Sequence, residues 1–401
     1  MKAVVCCGGH LEVADIPAPE PGSGQVLLNV SRAGICGSDV HLRSSLDHFA
    51  AATAAVSDGA AAPGSAGVVF GHEFSGEVAD YGSGTHRRWK PGTLMVAMPM
   101  CRHGRTPHIV GTTPHASGSF AEQMVVQESV AFAVPNGLSA EHAALTEPMA
   151  VAWHAVQRSR IRRGQTAYVI GCGPIGMAVI AFLKVKGVDC VVASDPSPRR
   201  RELAKRCGAD VVIDPQLGDP FAVAPASSRS TRIAGISFPN APWSVPGNPD
   251  DMNGAFDAME RLRRFALLPW WQLFRAMHRF DKGPGGPVVF ECVGLPGMLD
   301  RLVTDAPVMS RIVSVGSCLE PETIHPISAT IKEVDLRFSV GYNPGEFRDA
   351  LHMLADGKID PAPFLTGTVG FDGVEAAFDA LGRPEEHAKV LIDPHSSATT
   401  L

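Results

Sequence analysis

The stretch Thr166-Ala-Tyr-Val-Ile-Gly-Cys-Gly-Pro-Ile-Gly176 decides the fold. Its first half, Thr166–Ile170, predicts a buried strand, and the glycines that follow fit the pattern G-x-G-x-x-G. Gly171 permits a tight turn, Gly173 lets the backbone approach a pyrophosphate, and Gly176 allows close packing of helix on strand. The stretch therefore predicts a dinucleotide site at the first turn of a doubly wound parallel sheet.

The residues after the glycine turn predict how the cofactor binds. Pro174 and Ile175 lead into a predicted helix whose first backbone N–H groups can face the phosphates. Asp195 ends the next predicted strand, about twenty residues on, where a carboxylate accepts from ribose hydroxyls and repels a 2′-phosphate. This favours NAD over NADP, although the arginines at 199–201 keep NADP open as an alternative.

Alternating strands and helices extend in both directions from this turn. They predict an α/β chain, with a parallel sheet over 151–343. The predicted strands are Thr166–Ile170, Cys190–Ser194, Val211–Ile213, Pro287–Glu291 and Arg311–Val315, and the predicted helices are Met149–Arg160 after Pro148, Gly176–Lys186 and Arg200–Cys207. Residues 1–150 are predicted to form a β-rich domain. Residues 344–401 are predicted to return to this domain through an apolar strand, Val390–Ile392.

Two long segments interrupt this organisation. Residues 48–69 are rich in Ala, Gly and Ser, and residues 217–286 separate two strands that a short connection could join. Within the second, 254–282 combines tryptophans with arginines. It could contact a membrane surface as a peripheral element, but packing on the nucleotide domain or at a subunit interface is the favoured interpretation.

The composition excludes several classes of protein. The 401 residues carry a net charge of −6, so there is no basic footprint for nucleic acid. No apolar run reaches about 18 residues, the length of a membrane-spanning helix. The N-terminus lacks the apolar core of a signal peptide, and nine scattered cysteines are typical of reduced thiols. We expect a cytoplasmic protein with no transmembrane segment.

Candidate metal ligands lie in three separate stretches. These are Gly34-Ile-Cys-Gly-Ser-Asp-Val-His41, Gly71-His-Glu-Phe-Ser-Gly76 and Leu145-Thr-Glu-Pro-Met149. Cys36, His72 and Glu147 would supply a thiolate, an imidazole and a carboxylate, and Glu73 is a second carboxylate candidate. Three protein ligands with an open fourth position describe a catalytic zinc.

Three residues near Cys36 could support such a site. Asp39 could accept from the imidazole N–H of His72, as carboxylates commonly do behind a metal ligand. Ser38 could reach the substrate oxygen, and His41 could carry the released proton towards solvent. A zinc site beside a nicotinamide cofactor predicts hydride transfer between an alcohol and a carbonyl compound.

The stretches Gly34–His41, Gly71–Gly76, Glu147–Pro148 and Gly171–Gly176 resemble, in this order, the zinc-dependent medium-chain alcohol dehydrogenase superfamily. The Glu-Pro pair is closest to its sorbitol and threonine dehydrogenase branches. The resemblance spans nearly the whole chain apart from the two long segments.

The resemblance implies a fold and a set of roles. The fold is a GroES-like β-rich catalytic domain plus a Rossmann domain. Cys36 and His72 are zinc ligands, and Glu147 or Glu73 completes the shell directly or through water. Ser38, His41 and Asp39 form the proton relay and its support. Arg200 lies along the adenine, and the protein is a homodimer or homotetramer.

The chain departs from the superfamily at about 99–120. Many members carry four closely spaced cysteines there for a structural zinc, whereas this chain has only Cys101. We therefore expect one catalytic zinc per chain and no structural zinc. His103, His108 and His115 leave a mixed Cys/His site open as an alternative to a solvated loop.

The sequence thus predicts an NAD-dependent zinc alcohol dehydrogenase. The apolar segment 48–69 must leave the zinc site and return to it, so it favours a secondary or bulky apolar alcohol. The alternatives are a zinc-free enone or quinone reductase of the same superfamily and a non-catalytic nucleotide-binding protein. The presence of Cys36, His72 and Glu147 argues against the first, and Ser38, His41 and Asp195 argue against the second.

Overall fold

A computed structural model describes residues 1–44, 67–223, 231–233, 236–238, 260, 264, 286–383 and 387–401. The strands are β1 Lys2–Cys7, β2 His10–Asp15, β3 Gln25–Gly34, β4 Val68–Val69, β5 Glu73–Tyr81, β6 Leu94–Ala97, β7 Met100–His103, β8 Thr106–Ile109, β9 Gln123–Gln127, β10 Ala131–Ala133, β11 Thr166–Ile170, β12 Cys190–Ser194, β13 Val211–Ile213, β14 Thr231–Ile233, β15 Ile236–Phe238, β16 Val288–Glu291, β17 Arg311–Ser314, β18 Asp335–Phe338, β19 Leu365–Val369 and β20 Lys389–Ile392. The helices are α1 Gly37–Ser44, α2 Ala140–Ala143, α3 Thr146–Ser159, α4 Pro174–Val185, α5 Pro198–Arg206, α6 Met298–Asp305, α7 Pro326–Lys332, α8 Pro344–Ala355 and α9 Val374–Leu381.

The first part of the chain and its last two strands form a mostly antiparallel sheet. Its strands follow the order β10-β6-β5-β3-β20-β19, with β9 also paired to β3, and a smaller sheet has the order β2-β1-β4. The inward side chains build one apolar cluster around Val26, Leu28, Phe70, Met95 and Phe120. Because β20 pairs antiparallel with β3 at Leu391 and Gly34, the last strand of the chain borders the turn that carries Cys36.

The second sheet is entirely parallel. Its order is β13-β12-β11-β16-β17-β18, with β11 at the centre. The two halves extend outward from β11, so the order reverses between β11 and β16, where ligands bind in open α/β sheets. Helix α4 follows β11 through the glycine turn and buries Met177 through Leu183. This confirms the prediction of a β-rich unit joined to a doubly wound parallel sheet.

Two helices join the sheets. Helix α3 buries Met149, Ala152 and Val156, and α8 buries Phe347 and Leu351, all in the cluster that supports the parallel sheet. After α8 the chain returns to the first sheet through β19 and β20. The predicted domain boundaries at 150 and 344 remain predictions.

Most predicted elements coincide with observed ones, but three helices begin earlier than expected. Helix α4 starts at Pro174 and not at Gly176, α5 starts at Pro198 and not at Arg200, and α3 shows the largest difference. The sequence predicts that Pro148 opens a helix over Met149–Arg160, whereas α3 starts at Thr146 and ends at Ser159. Proline is tolerated anywhere in the first turn, because the N–H groups there have no partner within the helix. As a result Glu147 lies on the helix itself.

The two long segments fall largely outside the described residues. Of 48–69 only 67–69 is described, and of 217–286 mainly 217–223 and the short strands β14 and β15. The stretch 254–282, including its tryptophans, lies outside them except for residues 260 and 264. Within the described ranges, no helix is both long and apolar enough to cross a membrane.

Candidate active site

The first group of site residues lies where β3 ends and α1 begins. The chain passes from Gly34 through Ile35 to Cys36, and α1 starts at Gly37. Asp39 is fully buried, and its Oδ2 accepts a hydrogen bond from the backbone N–H of Cys36 at 2.9 Å. This contact fixes the turn that presents the Cys36 thiol.

His72 lies beside this turn, just before β5. Its Nε2 is 3.3 Å from the Ser38 hydroxyl oxygen, and its Nδ1 is 3.4 Å from Asp39 Oδ1. The second pair is within ion-pair range but lacks hydrogen-bond geometry, so both atoms are buried without a hydrogen-bond partner. Burial lowers the pKa of His72, but the charges of Asp39 and Cys36 outweigh that effect and hold the pKa well above its usual range.

The structure brings Cys36, His72 and Glu73 together. One ligand atom from each lies within 4.8 Å of the other two, and no second group within the described ranges meets this distance. Thiolate, imidazole and carboxylate are all zinc donors. Buried polar atoms without partners are rare and costly, so Asp39 Oδ1 and His72 Nδ1 fit a site that a bound ion and a small ring rotation would complete.

Glu73 is also held by a cation from the far end of the chain. Lys389 Nζ lies 2.7 Å from both Glu73 carboxylate oxygens and donates to the Ile35 carbonyl at 2.9 Å. The two side chains are 4% and 1% exposed. Burial lowers the pKa of Lys389, but Glu73 and Cys36 outweigh it, so the pKa is raised and the ammonium stays charged.

Glu147 forms the other wall of the site. It is 9% exposed on α3, and its Oε1 accepts a hydrogen bond of 2.9 Å from the Tyr342 hydroxyl. Burial raises the pKa of Glu147 to about 7, with His72 acting in the opposite direction and Glu73 adding to the rise. Burial and Glu147 also raise the pKa of Tyr342, so the phenol keeps its proton and is the donor.

Sequence reasoning missed both Lys389 and Tyr342. Lys389 opens the otherwise apolar strand β20, and a lysine in a fully buried strand is rare enough to have been a signal. Tyr342 follows β18 near the carboxyl ends of the parallel strands, where ligands of α/β sheets bind. Nothing in the local sequence links it to Glu147, 195 positions earlier.

Ser38 and His41 both lie on α1. They are three residues apart, so they share one face of the helix. Ser38 is half-buried next to His72, whereas His41 is exposed. The pair therefore leads from the site towards solvent.

The glycine turn has the geometry that its pattern predicts. Gly171 adopts φ +91°, and a Cβ there would lie 2.8 Å from the Val293 side chain. A Cβ on Gly176 would lie 1.9 Å from the Gly171 carbonyl oxygen, so this close approach requires glycine. A Cβ on Gly173 would meet only Arg200, at 4.0 Å, so space is open where the turn faces the start of α4.

Asp195 lies beside this turn at the end of β12. It is 3% exposed, and its carboxylate accepts from the backbone N–H groups of Cys172 and Ser197, both at 2.8 Å. Of the neighbouring arginines, Arg199 pairs with Glu202 and Arg201 with Asp214. Arg201 also donates to the carbonyls of residues 195 and 196.

Comparison with known proteins gives a consistent result. Residues 22–136 match the alcohol dehydrogenase GroES-like domain, and residues 174–356 match the family described as zinc-binding dehydrogenase. The (R,R)-butanediol dehydrogenase of Bacillus subtilis is 28% identical over 397 residues, covering 96% of this chain and 97% of that protein. Sorbitol dehydrogenase of Gallus gallus is 27% identical, covering 96% and 94%.

A solved structure is similar over the same extent. The crystal structure of 2R,3R-butanediol dehydrogenase from Bacillus subtilis superposes with a TM-score of 0.70 at 26% identity. The superposition covers 98% of this chain and 99% of that one.

Proposed function

Because the chain belongs to the zinc-dependent medium-chain alcohol dehydrogenase superfamily and is a zinc-dependent oxidoreductase of alcohols, we propose that it oxidises a secondary alcohol of a diol or polyol with NAD. The observation that carries the proposal is the convergence of Cys36, His72 and Glu73 below the buried carboxylate of Glu147. The reverse direction reduces the corresponding ketone.

The substrate class rests on two observations. The relatives reported above act on butanediol and sorbitol, and the site wall contains the polar pair Glu147 and Tyr342. Buried polar groups favour substrates that hydrogen-bond to them and reject analogues that cannot. The expectation of a bulky apolar alcohol depends on residues 48–69, which are largely outside the described structure, and it remains a prediction.

Cys36, His72 and Glu73 would hold the zinc ion, and Glu147 would reach it through water. Proximity supports this choice, since Glu73 and not Glu147 belongs to the group within 4.8 Å. Charge supports it as well. The Cys36 thiolate and the Glu73 carboxylate would bring two negative charges to the divalent ion, and Lys389 already pairs with Glu73.

When bound, zinc supplies a Lewis acid for the substrate oxygen, and the nicotinamide ring accepts the hydride. The chain's own residues then move the proton and keep the geometry. The Ser38 hydroxyl, 3.3 Å from His72 Nε2, is placed to accept the alcohol proton while it releases its own proton towards solvent. His41, exposed on the same face of α1, passes it to solvent. After a small rotation of the His72 ring, Asp39, now 3.4 Å from Nδ1, would orient it through that nitrogen and leave Nε2 for the metal.

The cofactor site favours NAD. Asp195 stands at the end of β12, where its carboxylate can accept from ribose hydroxyls and repel a 2′-phosphate. Arg199 and Arg201 already pair with carboxylates, so they are less available to a phosphate. Arg200 lies against the open space at Gly173, consistent with a place along the cofactor. The first N–H groups of α4, beside Pro174 and Ile175, would face the phosphates because the Gly173 N-cap offers no side chain.

A homodimer is the favoured assembly. Strand β18 is the edge of the parallel sheet, and exposed apolar side chains lie on it and on the chain segments directly before and after it: Ile327, Ile331, Phe338 and Val340. Unpaired strand edges invite pairing with another chain, and a two-fold axis would place the same edge of a second copy against this one. Val340→Asp should shift the mass measured by light scattering to that of a monomer. Leu217→Asp, at an equally exposed leucine elsewhere, should not.

The proposal is tested with a substrate panel. NADH or NADPH formation is measured with stereoisomers of 2,3-butanediol, with sorbitol, xylitol and erythritol, and with cyclic and long-chain apolar alcohols. We expect turnover of diols or polyols with NAD and its loss after zinc is removed by a chelator. Faster turnover of apolar alcohols would contradict the substrate class, and activity that survives complete metal removal would contradict the mechanism.

A further inference from the structure

Three histidines outside the active site form a cluster on the surface, which we name the histidine triad: His103, His108 and His115. The ring centroids of His103 and His115 are 4.9 Å apart, those of His108 and His115 are 5.6 Å apart, and those of His103 and His108 are 6.4 Å apart. His103 and His115 are exposed, and His108 is half-buried. Residues 100–109 therefore form a β-hairpin, and this hairpin and the turn after it place three imidazole rings next to one another.

Local backbone structure holds the triad together. Strands β7 and β8 pair antiparallel with Cys101 opposite His108 and His103 opposite Thr106. Opposed residues share a face and alternate residues return to it, so His103 and His108 lie on one face of the hairpin. His115 comes from the next turn, which a bridge between Thr113 and Ala116 closes.

The spacing of the rings fits a shared cation. With metal–nitrogen bonds of about 2.0–2.1 Å and tetrahedral or trigonal angles, three bound imidazoles have centroids about 5–5.5 Å apart. The observed distances of 4.9, 5.6 and 6.4 Å bracket that value. The ring nitrogens are not all within 4.8 Å of one another as the rings stand, so binding requires the rings to turn. Two of them are exposed and have room to do so.

The electrostatic setting favours a cation ligand over a proton. Burial lowers the pKa of His108, and His115 and His103 lower it further, so the neutral imidazole that binds metals is the dominant form. His108 Nδ1 is buried without a hydrogen-bond partner, a state that a ligand would relieve. None of the three histidines forms an ion pair with a carboxylate of the described chain.

Cys101 shares the face of the triad but has a different environment. It is 3% exposed within the apolar cluster of the first sheet, and burial raises the pKa of its thiol. A thiol must lose its proton to bind zinc, and the raised pKa of Cys101 opposes that loss. We therefore give Cys101 no role in the site.

The missing cysteines predict that this region holds no metal ion, but the spacing of the rings points the other way, and we propose that the histidine triad binds a first-row divalent cation such as Zn²⁺ or Co²⁺ through nitrogen alone, at a site separate from the Cys36 centre. A bound ion would fasten β7 and β8 to the turn at 111–116. Directly after this turn, the backbone N–H groups of Gly118 and Ser119 donate hydrogen bonds to the carbonyls of Val69 and Gly71. The ion would therefore stabilise the segment that carries His72.

The experiment counts cobalt ions in the full-length chain after the Cys36 site has been disabled by Cys36→Ser with His72→Ala. We expect this variant to bind one Co²⁺ per chain, with a visible d–d spectrum and no thiolate charge-transfer band. Adding His108→Ala should weaken that binding at least about 100-fold, since losing even a supporting contact costs 10–100-fold. The control His395→Ala removes an exposed histidine elsewhere and should change nothing.

A second measurement applies if the disabled variant does not fold. In the otherwise unaltered chain, His108→Ala should lower the total bound Co²⁺ by one ion while the thiolate band of the Cys36 site stays unchanged. The proposal would be overturned if the folded Cys36→Ser, His72→Ala variant bound no Co²⁺. It would also be overturned if His108→Ala left the number of bound ions unchanged.

Discussion

The protein contains two histidine clusters that differ in how they are held. At the active site, His72 and its chain neighbour Glu73 lie among residues from three distant parts of the chain: Asp39, Glu147 and Lys389. In the histidine triad, all three rings come from thirteen consecutive residues, and two of them face solvent. The first cluster is assembled by the fold, the second by one hairpin and the turn after it.

The difference in burial decides what each cluster can do. Buried charges must be paired, so the active site fixes its thiolate and carboxylates with a lysine, a tyrosine and backbone N–H groups. That arrangement keeps ligands in place before a substrate arrives. The triad needs no such compensation, because two of its three imidazoles are exposed to solvent. Mutations in the first cluster should therefore reduce activity, and those in the second should change only metal content and stability.

The largest effect is expected from a substitution that removes the thiolate of the buried cluster. Cys36→Ser should remove the catalytic metal and lower kcat/KM by about a thousandfold, since a Lewis-acid metal is worth several kcal/mol to the transition state. Zinc analysis and NADH absorbance measure the two quantities. Cys7→Ser changes an exposed cysteine and should behave like the unaltered protein. Full turnover in metal-free Cys36→Ser would contradict the assignment.

The next effect tests the charge balance of the same cluster. Lys389→Met leaves the Glu73 carboxylate buried without its cation, which should lower the free energy of unfolding by about 3–5 kcal/mol. Urea denaturation followed by circular dichroism gives the value. Lys358→Met removes an exposed lysine 3.8 Å from Asp356 and should cost at most about 1 kcal/mol. Equal losses in the two variants would show that Lys389 is not balancing a buried charge.

A smaller effect is expected at the polar wall. Tyr342→Phe removes the hydroxyl that donates to Glu147 at 2.9 Å, and a hydrogen bond to a charged group is worth about 1.5–3 kcal/mol. We expect kcat/KM for a polyol to fall about tenfold while bound zinc is unchanged. Steady-state kinetics with a polyol and with a simple secondary alcohol distinguish two causes. If Tyr342 positions the polyol, kcat/KM falls for the polyol alone, whereas a general loss of activity lowers kcat/KM for both substrates. A parallel loss of zinc would instead assign Tyr342 a structural role.

The smallest effect should come from the exposed end of the proton path. His41→Ala should lower kcat only severalfold, because water or buffer can replace a solvent-facing proton carrier. Adding imidazole or another small buffer base should restore part of the rate. Ser38→Ala should be more damaging and insensitive to buffer, since the Ser38 hydroxyl lies next to His72 inside the site. Identical behaviour of the two variants would contradict the proposed order.

Local sequence patterns predicted most of the fold. Strands such as Thr166–Ile170 and Cys190–Ser194 were predicted to the residue, because continuous apolar runs between turn residues leave few alternatives. The glycine turn was equally predictable, since Gly171 and Gly176 meet steric demands that only glycine satisfies. Where α3 begins was not predictable, because proline is tolerated throughout the first turn of a helix.

The active site was only partly predictable. Cys36, His72, Glu73 and Glu147 were all candidates from the sequence, but the proposal that Glu73 is the third ligand needed their positions in space. Lys389 and Tyr342 were missed, since each acts on a residue more than 190 positions away. Pairings over such separations leave no local periodicity to detect.

The sequence by itself determined the parallel sheet, the nucleotide turn and the residue types of a zinc site, because these depend on interactions within a few consecutive residues. Tertiary structure alone decided that the last strand brings Lys389 to Glu73, that Tyr342 meets Glu147, and that three histidine rings of one hairpin lie side by side. The physical reason is that burial sets the strength of charge and hydrogen-bond interactions, and burial is a property of the folded chain as a whole.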